Sequence, residues 1–197
     1  MAEAAEFVIG ASASCSDGYC GEVSRMILDP ADRTVTHLVI EPKHRGEPGR
    51  LVPVELASTV GGEVRLGCTL AEFSRLEAAD ETEFVASGGA GDVPSPTGMA
   101  PMGVPHRLVA VTHDIVPLGE TEVRRGEPVH ALDGEIGRVE GFAVDPGDHR
   151  VTHVLLQEGH LWGRKEVAIP VSAVTGVDDG IRLNITKQQV EDLPSAG

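Results

Sequence analysis

Aromatic residues are scarce: Phe, Tyr and Trp together make up 3% of the 197 residues, and there is one Trp. A hydrophobic core must therefore rest on Val, Leu, Ile and Ala. Cysteine is also rare, with three residues, an odd number in a chain whose first ten residues, MAEAAEFVIG, carry acids where a secretory signal needs bases; a disulfide framework is excluded and free thiols are expected. No stretch approaches the ~20 apolar residues that cross a bilayer as a helix. These absences lead to the expectation of a soluble cytoplasmic protein without a membrane span. Bases are few as well, 16 against 31 acids, for a net charge of −15. The excess is even, because 1–77, 78–127 and 128–197 each carry five more acids than bases. Uniform acidity repels phosphate backbones and argues against direct nucleic-acid contact. G-x-S-x-G, H-E-x-x-H and P-loop motifs are missing, and the Gly-rich stretch 88–91 runs into Pro-rich chain and not into a helix. Nothing points to an enzyme or to a cofactor.

What the chain does contain is itself, twice. Residues 17–40, DGYCGEVSRMILDPADRTVTHLVI, align without a gap on 133–156, DGEIGRVEGFAVDPGDHRVTHVLL, and share ten of 24 positions. The shared residues include Asp17/Asp133, Gly18/Gly134, Gly21/Gly137, Asp29/Asp145, Pro30/Pro146, Asp32/Asp148 and His37/His153. After one inserted residue the match resumes at Pro53-Val54 and Pro170-Val171. An internal duplication follows, each copy of roughly 70 residues being long enough to close a small core of its own.

Within a copy, apolar and β-branched runs alternate with turn residues. Val8–Cys15, Gly21–Leu28, Val35–Ile40, Leu51–Leu56 and Glu63–Cys68 are expected as strands, with turns at Ser16-Asp17-Gly18 and at Asp29-Pro30-Ala31-Asp32. Thr69 with Glu72, and Thr186 with Gln189, have capping-box spacing and predict one short helix at the end of each copy. Residues 78–105 are rich in Gly, Pro, Ala and Ser and read as a linker between domains 1–77 and 106–197. Residues 106–127 regain alternation, and supply either the first strand of the second domain or a segment docked across both.

This order of DG turn, G-x-V strand, DP-x-D turn, VTH strand, P-V strand and closing helix resembles the PRC-barrel family, which includes the cytoplasmic domain of the photosynthetic reaction-centre H subunit and the C-terminal domain of a ribosome maturation factor. It rests on Asp17, Gly18, Gly21, Val23, Asp29, Pro53 and Val54, and on Asp133, Gly134, Gly137, Val139, Asp145, Pro170 and Val171. The resemblance covers about 8–77 and 122–194. It implies a mainly β fold, two small PRC-type β-barrels each with a short C-terminal helix, and binding of other macromolecules instead of catalysis. No catalytic set carries over.

Three candidate sites stand out. The DPxDxxVTH segment groups Asp29, Asp32 and His37, with Asp145, Asp148 and His153 matching them, as metal ligands or as a hairpin turn; recurrence in both copies favours the turn. Cys15, Cys20 and Cys68, with His37 as a fourth ligand, could form a metal or redox site, although the second copy has Ile136 and Ile185 opposite Cys20 and Cys68. The loops after the VTH strands, 43–50 (KHRGEPGR) and 159–165 (GHLWGRK), are basic on an acidic chain. Lys43, His44, Arg45, Arg50, His160, Trp162, Arg164 and Lys165 are the candidate partner surface, Trp and Arg being frequent interface anchors. The expected function is a non-enzymatic protein-binding adaptor that can self-associate. The alternatives are a ribosome- or RNA-associated assembly factor and a small metal- or redox-responsive binding protein.

Overall fold

The computed structural model describes residues 4–42, 47–87, 107–158, 166–177 and 180–193. In chain order they form β1 (Ala5–Val8), β2 (Ser12–Cys15), β3 (Gly18–Asp29), β4 (Thr34–Glu41), β5 (Arg50–Pro53), β6 (Ala57–Val60), β7 (Glu63–Leu66) and helix α1 (Leu70–Phe73). An antiparallel ribbon follows, β8 (Asp80–Ser87) with β9 (Arg107–Asp114). Then come β10 (Thr121–Arg124), β11 (Pro128–Ala131), β12 (Gly134–Val144), β13 (Val151–Glu158), β14 (Glu166–Pro170), β15 (Val174–Gly176), β16 (Ile181–Leu183) and α2 (Lys187–Glu191).

The mainly β expectation holds, and the strands gather into two seven-stranded sheets of equivalent order. One runs β5-β4-β3-β2-β7-β6 and the other β14-β13-β12-β11-β16-β15. The seventh strand of each comes from the other half of the chain. β1 pairs with β12, Ala5 opposite Val144, and β10 pairs with β3, Thr121 opposite Leu28. The exchange is reciprocal and in the same register, since each partner lies 116 residues from its counterpart.

This corrects two expectations. Val8–Cys15 is not one strand: the chain leaves β1 at Val8 and crosses to the other sheet through Ile9-Gly10-Ala11. Gly10 turns there at φ 99°, in the left-handed region that costs glycine little, and Gly126 repeats the turn at φ 85°. The expected separate cores are also one. Phe7 on β1 faces Phe142, Val123 on β10 faces Met26, and buried residues of both halves form a single contiguous cluster. Residues 106–127 therefore dock across the halves. Asp80–Ser87, assigned by composition to the linker, is a strand.

β3 shows why sequence pattern and structure agree in part. Its burial is mixed up to Ser24, then continuous from Arg25 to Leu28. Alternation fails there because both faces are covered: Met26 and Leu28 join the shared core, while Ile27, Val39 and Leu51 pack under Ala79, Ile115 and Val116 at the base of the ribbon.

Both predicted helices form, and each capping box is complete. The DG-turn aspartates add something that spacing did not reveal. Asp17 Oδ1 accepts from Leu70 N at 2.8 Å and Asp133 Oδ1 from Lys187 N at 2.9 Å, each satisfying an orphan amide of the first helical turn. Changing Asp133 to Ala is expected to cost about 1 kcal/mol, read as a fall of roughly 2–4 °C in Tm. An unchanged melting curve would mean that this cap carries no weight in solution.

The repeated glycine of the G-x-V strand has a packing reason. A Cβ on Gly21 would lie 2.1 Å from the Glu41 carbonyl oxygen, and one on Gly137 would lie 2.5 Å from that of Gln157. β3 and β4, like β12 and β13, approach too closely there for any side chain.

Candidate functional site

The two DP turns meet where the halves adjoin. Thr34 bridges Arg150 antiparallel, Val35 N donates to the His149 carbonyl at 3.0 Å, and Val151 N donates to the Arg33 carbonyl at 2.9 Å. Arg33 and His149 occupy equivalent positions and both have left-handed φ, 57° and 59°. The arrangement is pseudo-twofold.

Within each turn the aspartates hold backbone, as the turn reading expected. Asp29 Oδ1 accepts from Ala31 N at 2.8 Å, Asp145 Oδ1 from Gly147 N at 2.7 Å, and Asp148 Oδ1 from Arg150 N at 3.1 Å. The VTH strand is equally regular. His37 Nδ1 lies 3.1 Å from the Thr36 hydroxyl, and His153 Nδ1 lies 3.1 Å from that of Thr152. Among the described residues no group of three or more His, Cys, Asp or Glu is arranged to hold a metal ion.

Cys15, Cys20 and Cys68 are free, buried and mutually close. Burial pushes the Cys15 thiol well above its ordinary value, and the neighbouring Cys20 and Cys68 thiols push it further. Burial likewise raises Cys20. Thiols held protonated in this way are poor nucleophiles at neutral pH. His37 does not complete the set, because its ring faces Thr36 and Glu120, 3.8 Å from Glu120 Oε2.

The basic loops span β4 to β5 and β13 to β14. Lys43, His44, Arg45, His160, Trp162, Arg164 and Lys165 lie outside the described residues. Arg50 opens β5, and its guanidinium donates to the Leu76 carbonyl at 3.0 Å, which ties the strand to the end of the helical segment. The loop roots are acidic: Glu22 and Glu41 sit directly opposite each other on β3 and β4. β4 and β13 both start at the pseudo-twofold contact and run eight residues away from it in opposite senses.

One cluster escaped the sequence reading. Arg25, on β3, is the only buried charged residue among those described, at 3% exposure. Its Nη2 donates to Asp80 Oδ1 at 2.6 Å and to the Ala79 carbonyl at 2.9 Å, and its Nη1 pairs with Asp114 Oδ1 at 3.0 Å. Its Nε lies 3.3 Å from Glu122 Oε2, a charge contact not aligned as a hydrogen bond. Arg124 also pairs with Asp114 and, through Nε at 3.1 Å, with Glu122. Asp80 Oδ2 in turn accepts from Gly49 N at 3.1 Å. The network fastens both strands of the β8–β9 ribbon at its base, and the exchanged β10, to β3. Partial burial alone would raise the Asp80 carboxyl, but the Arg25 guanidinium and the Gly49 amide outweigh it and hold it below its usual range. The signal in the sequence was an arginine inside an apolar strand, VSRMIL, at a position where the second copy has Gly141.

No helix among the described residues is long and apolar enough to cross a membrane. No curated protein matches the chain. The stretch from just before β11 to near the end of α2 does match a known family: residues 125–190 match the PRC-barrel domain.

Proposed function

We propose that the chain is a non-enzymatic adaptor made of two PRC-type modules, one matched by family and the other related to it by internal duplication. The observation that carries this reading is the reciprocal exchange of β1 and β10 between two sheets of equivalent strand order. Exchanged strands and a common core fix the distance between the modules, so a flexible linker does not set the reach. The adaptor holds two protein partners, or one partner and a second copy of itself, at a set separation with little ordering cost on binding. The basic loops stand out from an acidic body, which suits partners with acidic patches ringed by apolar surface.

Capture from host lysate with two separate loop variants tests this reading. Lys43→Ala with Arg45→Ala disables one loop, and Trp162→Ala with Arg164→Ala disables the other. Each variant is expected to lose one co-purifying protein and keep the other. Identical captures from wild type and both folded variants would sink the reading. Carboxylates left without their buried arginine would confuse the result, so Arg25 stays intact in both.

A further inference from the structure

A cavity of about 290 Å³ opens between the DP turn of the first half and the sheet of the second. Its lining includes Leu28, Phe142, Val154 and Ile181, all buried, while Thr175 and Arg33 stand at its exposed mouth. A small-molecule site has this composition: an apolar floor with one or two polar groups that fix orientation.

The charges at the mouth differ in how they are employed. Asp29 also borders the cavity, but its Oδ1 already accepts from the Ala31 and Asp32 amides. Arg33 reaches only the Val171 carbonyl, at a long 3.4 Å, and no ion pair engages it among the described residues. Its root is fixed by the left-handed φ and by the Val151 N–H donated to its carbonyl. The guanidinium is thus held over an apolar floor with most of its donors uncommitted. The related groove on the other side of the pseudo-twofold axis has His149 at this position, beside Glu6, Glu55 and Asp145. It offers an anion no fixed positive charge.

We infer that the cavity binds one small amphipathic carboxylate per chain, its apolar body on Phe142, Val154 and Ile181 and its head group on Arg33. At ~30 Å³ per non-hydrogen atom, taken from water's share of liquid volume, about ten such atoms fit, which is the size of octanoate. Selectivity for the anion rests on Arg33, because the net charge of −15 repels anions from a distance.

The test titrates octanoate, and separately octanol, into the full chain and follows methyl resonances of Val154 and Ile181. Octanoate is expected to shift both saturably. Arg33→Gln should weaken octanoate by up to about fivefold, the upper end for an exposed charge pair, and leave octanol unchanged. Thr175→Trp, placed on an exposed residue at the mouth, should abolish both while the fold stays intact. Absence of saturable shifts up to the solubility limit overturns the proposal. So does unchanged octanoate affinity in Arg33→Gln, or unchanged binding in Thr175→Trp.

Discussion

Replacing Arg25 by Ala is expected to destabilise the protein by about 3–5 kcal/mol, the usual result of removing one partner from a buried ion pair. The change strands Asp80, at 16% exposure, without a cation, and leaves Asp114 and Glu122 to share Arg124 alone. The damage should be local before it is global. The amides of Ala79, which donates to the Gly49 carbonyl, and of Ile115, which donates to the Ala79 carbonyl across the base of the ribbon, should exchange with solvent faster than those of the core strands. A denaturation midpoint matching wild type, with ribbon protection unchanged, would refute the clamp. Arg25→Met combined with Asp80→Asn and Glu122→Gln should recover part of the loss, since a neutral cluster leaves no unpaired charge.

The same network gives the protein an acid limit. The folded Asp80 carboxyl sits below its unfolded value of about 3.9. Its contribution is therefore complete above that pH and is lost as pH falls through the lower folded value. Wild type should lose this stability increment below about pH 4, and the Arg25→Ala variant should show a flatter acid limb.

At the position equivalent to Arg25, the second half has Gly141, and Gly141→Ala should be nearly as damaging. A Cβ there would lie 2.1 Å from the Phe7 carbonyl oxygen and 2.9 Å from Val8 Cα, both backbone atoms that cannot swing aside. β1 must retreat, which exposes Phe7 and Ile9, at 2% and 1% in the native fold. Overpacking together with lost aromatic burial is expected to cost at least about 3 kcal/mol. Gly176→Ala is the control, because nothing lies within 4 Å of its added Cβ. It should stay within about 0.5 kcal/mol of wild type. Urea titration with hydrogen exchange at Ala5–Val8 reads both. If Gly141→Ala melts with the control, the exchanged strand does not contribute to stability.

These two positions also mark where the sequence stopped being legible. Turns, most strands and both capping boxes depend on neighbours a few residues apart, and DPxD, DG, TxxE and TxxQ announce them. The exchange of β1 and β10 depends on which of two similar sheets a four-residue strand joins, and AEFV fits an apolar face in either. Arg25 was hidden because its three carboxylates lie 55, 89 and 97 residues further on, across the stretch read as linker. The thiols were legible as core residues, and their burial bears on that reading directly. Seven of the eight candidate loop residues stand outside the described residues, and Arg50 proved to brace its own half.

The strand exchange also orders events during synthesis. When β1 leaves the ribosome it has no partner, and it gains one only after Gly141–Val144 has been made. The first sheet likewise waits for Thr121–Arg124 before β3 has its last neighbour. The first sheet is complete only once part of the second half has been made, and β1 and the common core wait longer still, unlike a pair of independent domains that fold one after the other. The long sequence separation of these pairings predicts slow, single-step folding. Until that step, a phenylalanine-bearing edge strand is left for the cell's chaperones to shield.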